Sequence, residues 1–245
     1  MHHELICLPF AGGSATVYYS WQKWFKNISV YPVEYAGRGQ RLDEPLYPDL
    51  KSAVIDVLNV IKPRLLQYPY ALFGHSMGAA ILFELVHQIQ NNTLPLPKHA
   101  FLSGCDAPHI KSDFIFHTSD EKRFQQEIIE LGGMPAEIFE YPELVQICLN
   151  ILKSDIKNTQ THDFTTFAPL TCNISVFNGQ SDHSIAMDRR HEWRQYTMGS
   201  YNQYLFSGNH FFIQDNMEKI AAIIKHTLEN APRKQPNLQL QGIHP

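Results

Sequence analysis

Ser76 lies in the stretch YALFGHSMGAAILFEL, between Gly74 and Gly78, with a short apolar run before it and a helix-compatible apolar run after it. A hydroxyl becomes a useful nucleophile only when a base takes its proton and an acid holds that base in the right tautomer. Two later segments offer those groups at the ends of apolar runs: Asp182 in ISVFNGQSDHSI and His210 in YLFSGNHFFI. Attack on a carbonyl also needs backbone N–H donors for the oxygen that becomes negative. The residue after the nucleophile, Met77, supplies one such donor. LPFAGGSA supplies the second, with Gly12 and Gly13 allowing close backbone approach and Phe10 or Ala11 donating.

Gly-x-Ser-x-Gly alone arises by chance in many chains; a strand before it and a helix after it make it a nucleophile elbow. Other residues compete for the remaining roles. Asp106 follows the strand-like run before SGC and rivals Asp182 as the acid, while Asp155 and Asp163 lie beside a helical section and are weaker candidates. Among 13 histidines, His183 and His191 are expected on a solvated loop and helix, and His75 is expected to be structural. No His-Glu-x-x-His and no cysteine-rich spacing offers ligands for a hydrolytic metal. The reading therefore includes no metal and no cofactor.

The elements that must position these groups follow from apolar runs of strand length at 5–10, 30–35, 70–73, 99–104, 174–179 and 201–206, alternating with helical patterns. Several runs are apolar on both faces, so the expected fold class is α/β, a mostly parallel sheet covered by helices. In the helical pattern DLKSAVIDVLNVIKPRLL, Pro63 is expected to kink or end the helix. Residues 119–163 read as helices without a strand, the first of them starting at an N-cap Ser119 and stopping at Gly132 and Gly133. This section is expected to form the core of an inserted lid spanning about 110–165. Residues 1–231 form the expected single domain, and the Pro-, Gln- and Asn-rich 232–245 an unstructured tail. A net charge of −4 argues against a nucleic-acid partner. No run of eighteen apolar residues suits a membrane span, and the start lacks the pattern of a secretory signal. The four widely spaced cysteines fit reduced thiols, so the reading is a cytoplasmic chain.

The segments LICLPFAGGSATVYYSW, VEYAGRGQRLDEPL, LFGHSMGAAILFEL, FLSGCDAP, LGGMP, FNGQSDHSI and SGNHFFI together resemble the type II thioesterases that accompany nonribosomal peptide and polyketide synthases. The resemblance implies an α/β-hydrolase fold with a helical lid and hydrolysis of acyl groups from the phosphopantetheine thiol of carrier domains. It places the triad on Ser76, Asp182 and His210 and the oxyanion donors on Ala11 and Met77. Phe10, Gly12, Gly13 and Arg38 become expected substrate-binding residues. The implied partner is an acyl-loaded carrier domain met transiently by a monomer, with Arg38 and Arg41 as a small docking patch or as ion-pair partners of Glu34, Asp43 or Glu44. Two departures stand out: Ala36 where the family commonly has proline, and Cys105 where it commonly has arginine. A carboxylesterase or a medium-chain acyl-carrier or acyl-CoA thioesterase is the alternative, and a non-catalytic binding protein is a third reading.

Overall fold

The structure, a computed structural model, describes residues 2–111, 116, 120–133, 138, 140–164 and 168–230. Strands β1 (His3–Leu8), β2 (Ile28–Pro32), β3 (Tyr70–His75), β4 (His99–Ser103), β5 (Asn173–Gly179) and β6 (Tyr201–Phe206) form one parallel sheet in the order β2-β1-β3-β4-β5-β6. The chain steps from β1 outward to β2, then crosses back to β3 and proceeds the other way. The carboxyl ends of β1 and β3 therefore flank the point where the winding reverses, the place at which open α/β sheets form a ligand crevice.

The four inner strands β1, β3, β4 and β5 are buried on both faces, which is why they read as continuous apolar runs. Ile6, Leu8 and Leu72 point into a core with α1 (Leu50–Leu65) and α2 (Met77–Asn91). Their neighbours Leu5, Cys7, Ala71 and Phe73 point into a second core under the 3₁₀ stretch Ala15–Trp24 and α5 (Met217–Glu229). Pro63 does not kink α1 in mid-course. It falls in the last turn, where the helix ends two residues later. The helical pattern after Asp182 is a 3₁₀ stretch, Arg190–Tyr196.

Between β4 and β5 lie α3 (Glu121–Leu131) and α4 (Pro142–Gln160). Asp120 caps α3 by accepting the Arg123 N–H, and Gly132 ends it in the left-handed region at φ 83°. The expected cap Ser119, parts of the expected lid and the tail 232–245 lie outside the described residues. Phe124, Ile128, Val145, Leu149, Leu152 and Ile156 make a small core of their own, packed against Ala11. His162, just beyond α4, bonds to buried Glu84 of α2 and ties this section to the sheet's helical layer. Among the described residues no helix is long and apolar enough to cross a membrane.

One contact sets the spacing of the whole upper edge. A Cβ on Gly78 would overlap Leu8 O and stand 2.6 Å from Pro9 O, backbone atoms that cannot move aside. Gly78→Ala should therefore destabilise the protein by about 3 kcal/mol, read as a lowered midpoint in urea unfolding. An unchanged midpoint would contradict this packing.

Candidate active site

Ser76 follows β3 directly and precedes the first residue of α2, with φ 55° and ψ −119°. A non-glycine residue there is strained, and such strain persists only where the surroundings over-determine it. Here they do. The Ser76 N–H donates to Ser103 O of β4 at 2.8 Å, and a Cβ on Gly74 would overlap Gly78 O. The chain must turn sharply, and it lifts the Ser76 side chain to a half-exposed position at the amino end of α2. The Ser76 hydroxyl makes no hydrogen bond among the described residues, to His210 or to any other group.

Asp182, in the loop after β5, is 1 % exposed, and His210, in the loop after β6, is 5 % exposed. The His210 Nδ1–H donates to Asp182 Oδ2 at 2.8 Å; a carboxylate only accepts, so the proton belongs on Nδ1 and leaves Nε2 free to act as a base. The other carboxylate oxygen accepts the Ser184 N–H at 3.0 Å and the Ser184 hydroxyl at 2.6 Å. The same Ser184 Oγ lies 3.0 Å from His210 Nδ1. Burial pushes the Asp182 carboxyl up, but the bonds from His210 and Ser184 outweigh it and hold it below the usual carboxylate range. Ser184 was not singled out in the sequence; its only signal was its place two residues after an acid in a strand-end loop.

His75 is fully buried, with Nδ1 2.9 Å from Ser103 Oγ and its ring 5.1 Å from that of His210. Burial, then the neighbouring His210, push its pKa well below the ordinary value, so it stays neutral. Its ring is also flanked by Phe10, Phe211 and Phe212. The structure thus joins Asp182 to His210 directly and sets His210 against the residue preceding Ser76.

The loop after β1 is a tight turn in which the Gly13 N–H donates to Phe10 O at 2.9 Å and Gly12 takes φ 76°, the geometry of a type II turn. The Gly12 N–H donates to Asp155 Oδ2 at 2.8 Å. Glycines 12 and 13 have therefore committed their amides. Those of Phe10, Ala11 and Met77 have no partner among the described residues.

Arg38 is a correction. It is 2 % exposed, and its guanidinium is bound in bidentate fashion to Asp155 at 2.5 and 2.8 Å. An arginine so enclosed cannot meet a carrier surface or a bound acyl chain as a free cation. Arg41 is engaged by Glu44, by Asp56 and by Glu34 O, so the ion-pair reading describes it, with Asp56 as a partner not foreseen. In the sequence Asp155 reads only as a weak rival acid; a charge on the α4 face that carries Leu149, Leu152 and Ile156 is the signal for its buried role. Ala36 donates its N–H to Tyr47 Oη at 3.0 Å, a bond that proline could not make. Cys105, at the other departure, receives Trp193 Nε1–H on its backbone oxygen, and burial pushes its thiol well up. Asp163 is exposed beyond α4, and Asp106 accepts the Ala186 N–H at 2.9 Å, bracing the loop that carries Asp182. Among the described residues no three His, Cys, Asp or Glu side chains are grouped to hold a metal ion.

A profile of the thioesterase domain matches residues 3–228. The gramicidin S biosynthesis protein GrsT of Aneurinibacillus migulanus is 33% identical over 87% of this chain and 84% of its own length. The human medium-chain S-acyl fatty acid synthase thioesterase is 32% identical over 86% of this chain and 81% of its own. The crystal structure of ClbQ from the colibactin NRPS/PKS pathway superposes with a TM-score of 0.88 at 33% identity, covering 94% of this chain and 98% of that one.

Burial, opposed by the Ala186 N–H and reinforced by the Asp182 charge, pushes Asp106 up to about 6. A carboxyl whose folded pKa is raised binds its proton more tightly in the native state, so its contribution to stability falls as pH rises from the unfolded value through about 6. Asp106→Asn removes that titration while retaining an acceptor for Ala186. The difference in Tm between variant and wild type should be more positive at neutral pH than well below the raised pKa, and a pH-independent difference would contradict this environment.

Proposed function

The chain belongs to the thioesterase family, as a thioester-hydrolysing enzyme of the α/β-hydrolase fold, and from that premise we propose that Ser76, His210 and Asp182 act as its nucleophile, base and orienting acid. The observation that carries the reading is the bond between buried Asp182 and His210 at the sheet edge where the strained elbow presents Ser76. Entry of a substrate brings the Ser76 hydroxyl and His210 Nε2 into hydrogen-bond range, a contact that commonly tightens only in the reacting complex. His210 takes the hydroxyl proton as Ser76 Oγ attacks the thioester carbonyl carbon. The carbonyl oxygen, now negative, accepts from the uncommitted N–H groups of Ala11 and Met77, and the amino end of α2 adds its dipole. The oxyanion then collapses, the C–S bond breaks, and His210 passes its proton to the departing thiolate, which restores the neutral base. A thiol, with a pKa of roughly 8.5, leaves far more easily than an alcohol, so proton donation from His210 matters less in this half-reaction than in ester cleavage. In the second half-reaction His210 deprotonates water, which attacks the acyl-serine and releases the acid and the free hydroxyl. This chemistry requires no cofactor.

The substrates we propose are acyl groups on the phosphopantetheine thiol of carrier domains, removed so that a blocked synthase can resume. GrsT and ClbQ support this because they are described as belonging to gramicidin S biosynthesis and a colibactin NRPS/PKS pathway. The α3–α4 section acts as the lid, its apolar core meeting the acyl chain beside Ala11, with Phe10 and Phe211 forming an aromatic wall next to His75. With Arg38 enclosed and Arg41 paired, docking to the carrier is weak and transient. Recognition rests on the thioester and its pantetheine arm, and the enzyme works as a monomer.

The test is mass spectrometry of an acyl-carrier protein before and after exposure to the enzyme. Wild type should convert the acyl form to the free thiol; Ser76→Ala and His210→Ala should abolish conversion while remaining folded. Asp182→Asn should lower kcat by up to roughly 10⁴, because the imidazole loses its enforced tautomer. Near-wild-type turnover by folded Ser76→Ala would refute the triad. Hydrolysis of small thioesters with no action on any acyl-carrier protein would overturn the substrate class alone.

A further inference from the structure

The Arg38–Asp155 pair is expensive for a protein to bury. Both side chains are 3 % exposed, each ion has lost most of its hydration, and apolar residues of similar volume often serve stability as well or better. Its other bonds indicate a different use. Asp155 Oδ2 accepts the Gly12 N–H at 2.8 Å, and Arg38 Nη1 donates to Gly13 O at 3.3 Å. One pair therefore grips both sides of the 10–13 turn.

The strand end that leads into the turn is held as well. Tyr18 and Tyr35 donate their hydroxyls to Leu8 O and Pro9 O, both at 3.1 Å, and the Gly13 N–H closes onto Phe10 O. Of the turn's N–H groups, those of Phe10 and Ala11 have no partner among the described residues. The Gly12 N–H belongs to the peptide unit joining Ala11 to Gly12. Rotation of that unit by about 180° is what separates a type II from a type I turn. A rotated unit would aim the Ala11 carbonyl oxygen at the Asp155 carboxylate, two acceptors facing one another. The carboxylate thus admits one orientation of the turn, and Arg38 holds the carboxylate aligned through two hydrogen bonds.

Asp155 reaches the turn from α4. On the same helix face Leu152 places its Cδ1 3.0 Å from where a Gly12 Cβ would stand, and the apolar cluster that holds Leu149, Leu152 and Ile156 packs against Ala11. We propose that Arg38 and Asp155 are positioning residues that hold the oxyanion turn from α4, so that the Ala11 donor is set for catalysis only while this helix is seated on it. The inference rests on the reading of Ala11 N–H as an oxyanion donor.

The experiment compares two double variants under conditions where both are folded. Arg38→Met with Asp155→Leu removes both charges and the acceptor for Gly12. Arg38→Met with Asp155→Asn removes the charges but keeps a neutral acceptor. Loss of one oxyanion donor lowers kcat by about 10²–10³. The first variant should show a fall of that order with KM little changed, and the Gly12 amide proton should shift upfield in NMR spectra. The second should recover roughly tenfold or more of the lost kcat and part of the shift. A merely structural pair would lower kcat and Tm together without this recovery. Wild-type kcat in the first variant, with the Gly12 shift confirming that the bond is gone, would overturn the proposal, as would equal losses in the two variants. Should the doubles fail to fold, Leu152→Ala, which loosens the seat of α4 and spares the charges, decides the matter. A lowered kcat supports the coupling and an unaltered one overturns it. Ser76→Ala is run alongside. Turnover surviving in it would overturn the active-site reading and this inference together, whereas a silent Ser76→Ala beside a fully active double variant overturns this inference alone.

Discussion

The close approach of α2 to the end of β1 is the constraint on which the rest of the upper sheet edge depends. Gly78 lies so near Leu8 O and Pro9 O that no side chain fits between them, and Gly74 lies equally near Gly78 O. Because helix and strand end meet at backbone distance, the chain between β3 and α2 has no room for a relaxed turn, and Ser76 takes a left-handed conformation. The same closeness brings the first N–H groups of α2 beside the turn at residues 10–13, two segments far apart in sequence. The strain at one residue, of order 1–3 kcal/mol, is small beside the burial of the inner strands on both faces that enforces it.

Charges at this edge are arranged by a common rule: each buried ion has its partners fixed before any substrate arrives. Asp182 has His210 on one oxygen and Ser184 on the other. Asp155 has Arg38 and the Gly12 amide. Asp106, buried, with the Ala186 N–H donating to it and the Asp182 carboxylate nearby, is the aspartate whose pKa rises. That contrast explains how two aspartates at neighbouring strand ends take different parts: one is held charged against an imidazole, the other braces the loop that carries the first. His75 extends the rule to a neutral group. Buried beside His210, it stays uncharged and avoids repulsion of any positive charge that the neighbouring ring acquires.

Much of this architecture could be read from the chain before folding. Apolar runs on both faces meant a parallel sheet covered twice over. A serine between glycines at a strand-to-helix junction meant an elbow, and an aspartate and a histidine at two later strand ends offered the acid and base that such chemistry needs. The fold and the elbow are legible because they rest on local geometry and on the period of the hydrophobic pattern, both of which are properties of short stretches of sequence. Pro63 and the segment Arg190–Tyr196 were less legible. Tolerance of proline in a last turn and the choice of 3₁₀ over α depend on which neighbours compete for the same backbone groups.

Arg38 and Asp155 mark the limit of that reading. In sequence, Arg38 sits among Gly39, Gln40 and Arg41 and looks like part of a solvated basic patch, while Asp155 is one polar residue in a helix. Their burial follows from the seating of α4 across the turn, which brings together positions 117 residues apart, and charge pairing over such a distance leaves no local trace. Ser184 is similar at shorter range: its hydroxyl acquires a role only because Asp182 and His210 meet. Sequence alone determined which residues could do the chemistry and which strand ends would present them, because side-chain type and backbone periodicity are local. Tertiary structure alone decided which charges would be enclosed and which N–H groups left free, because burial and hydrogen-bond competition are settled only when distant segments pack.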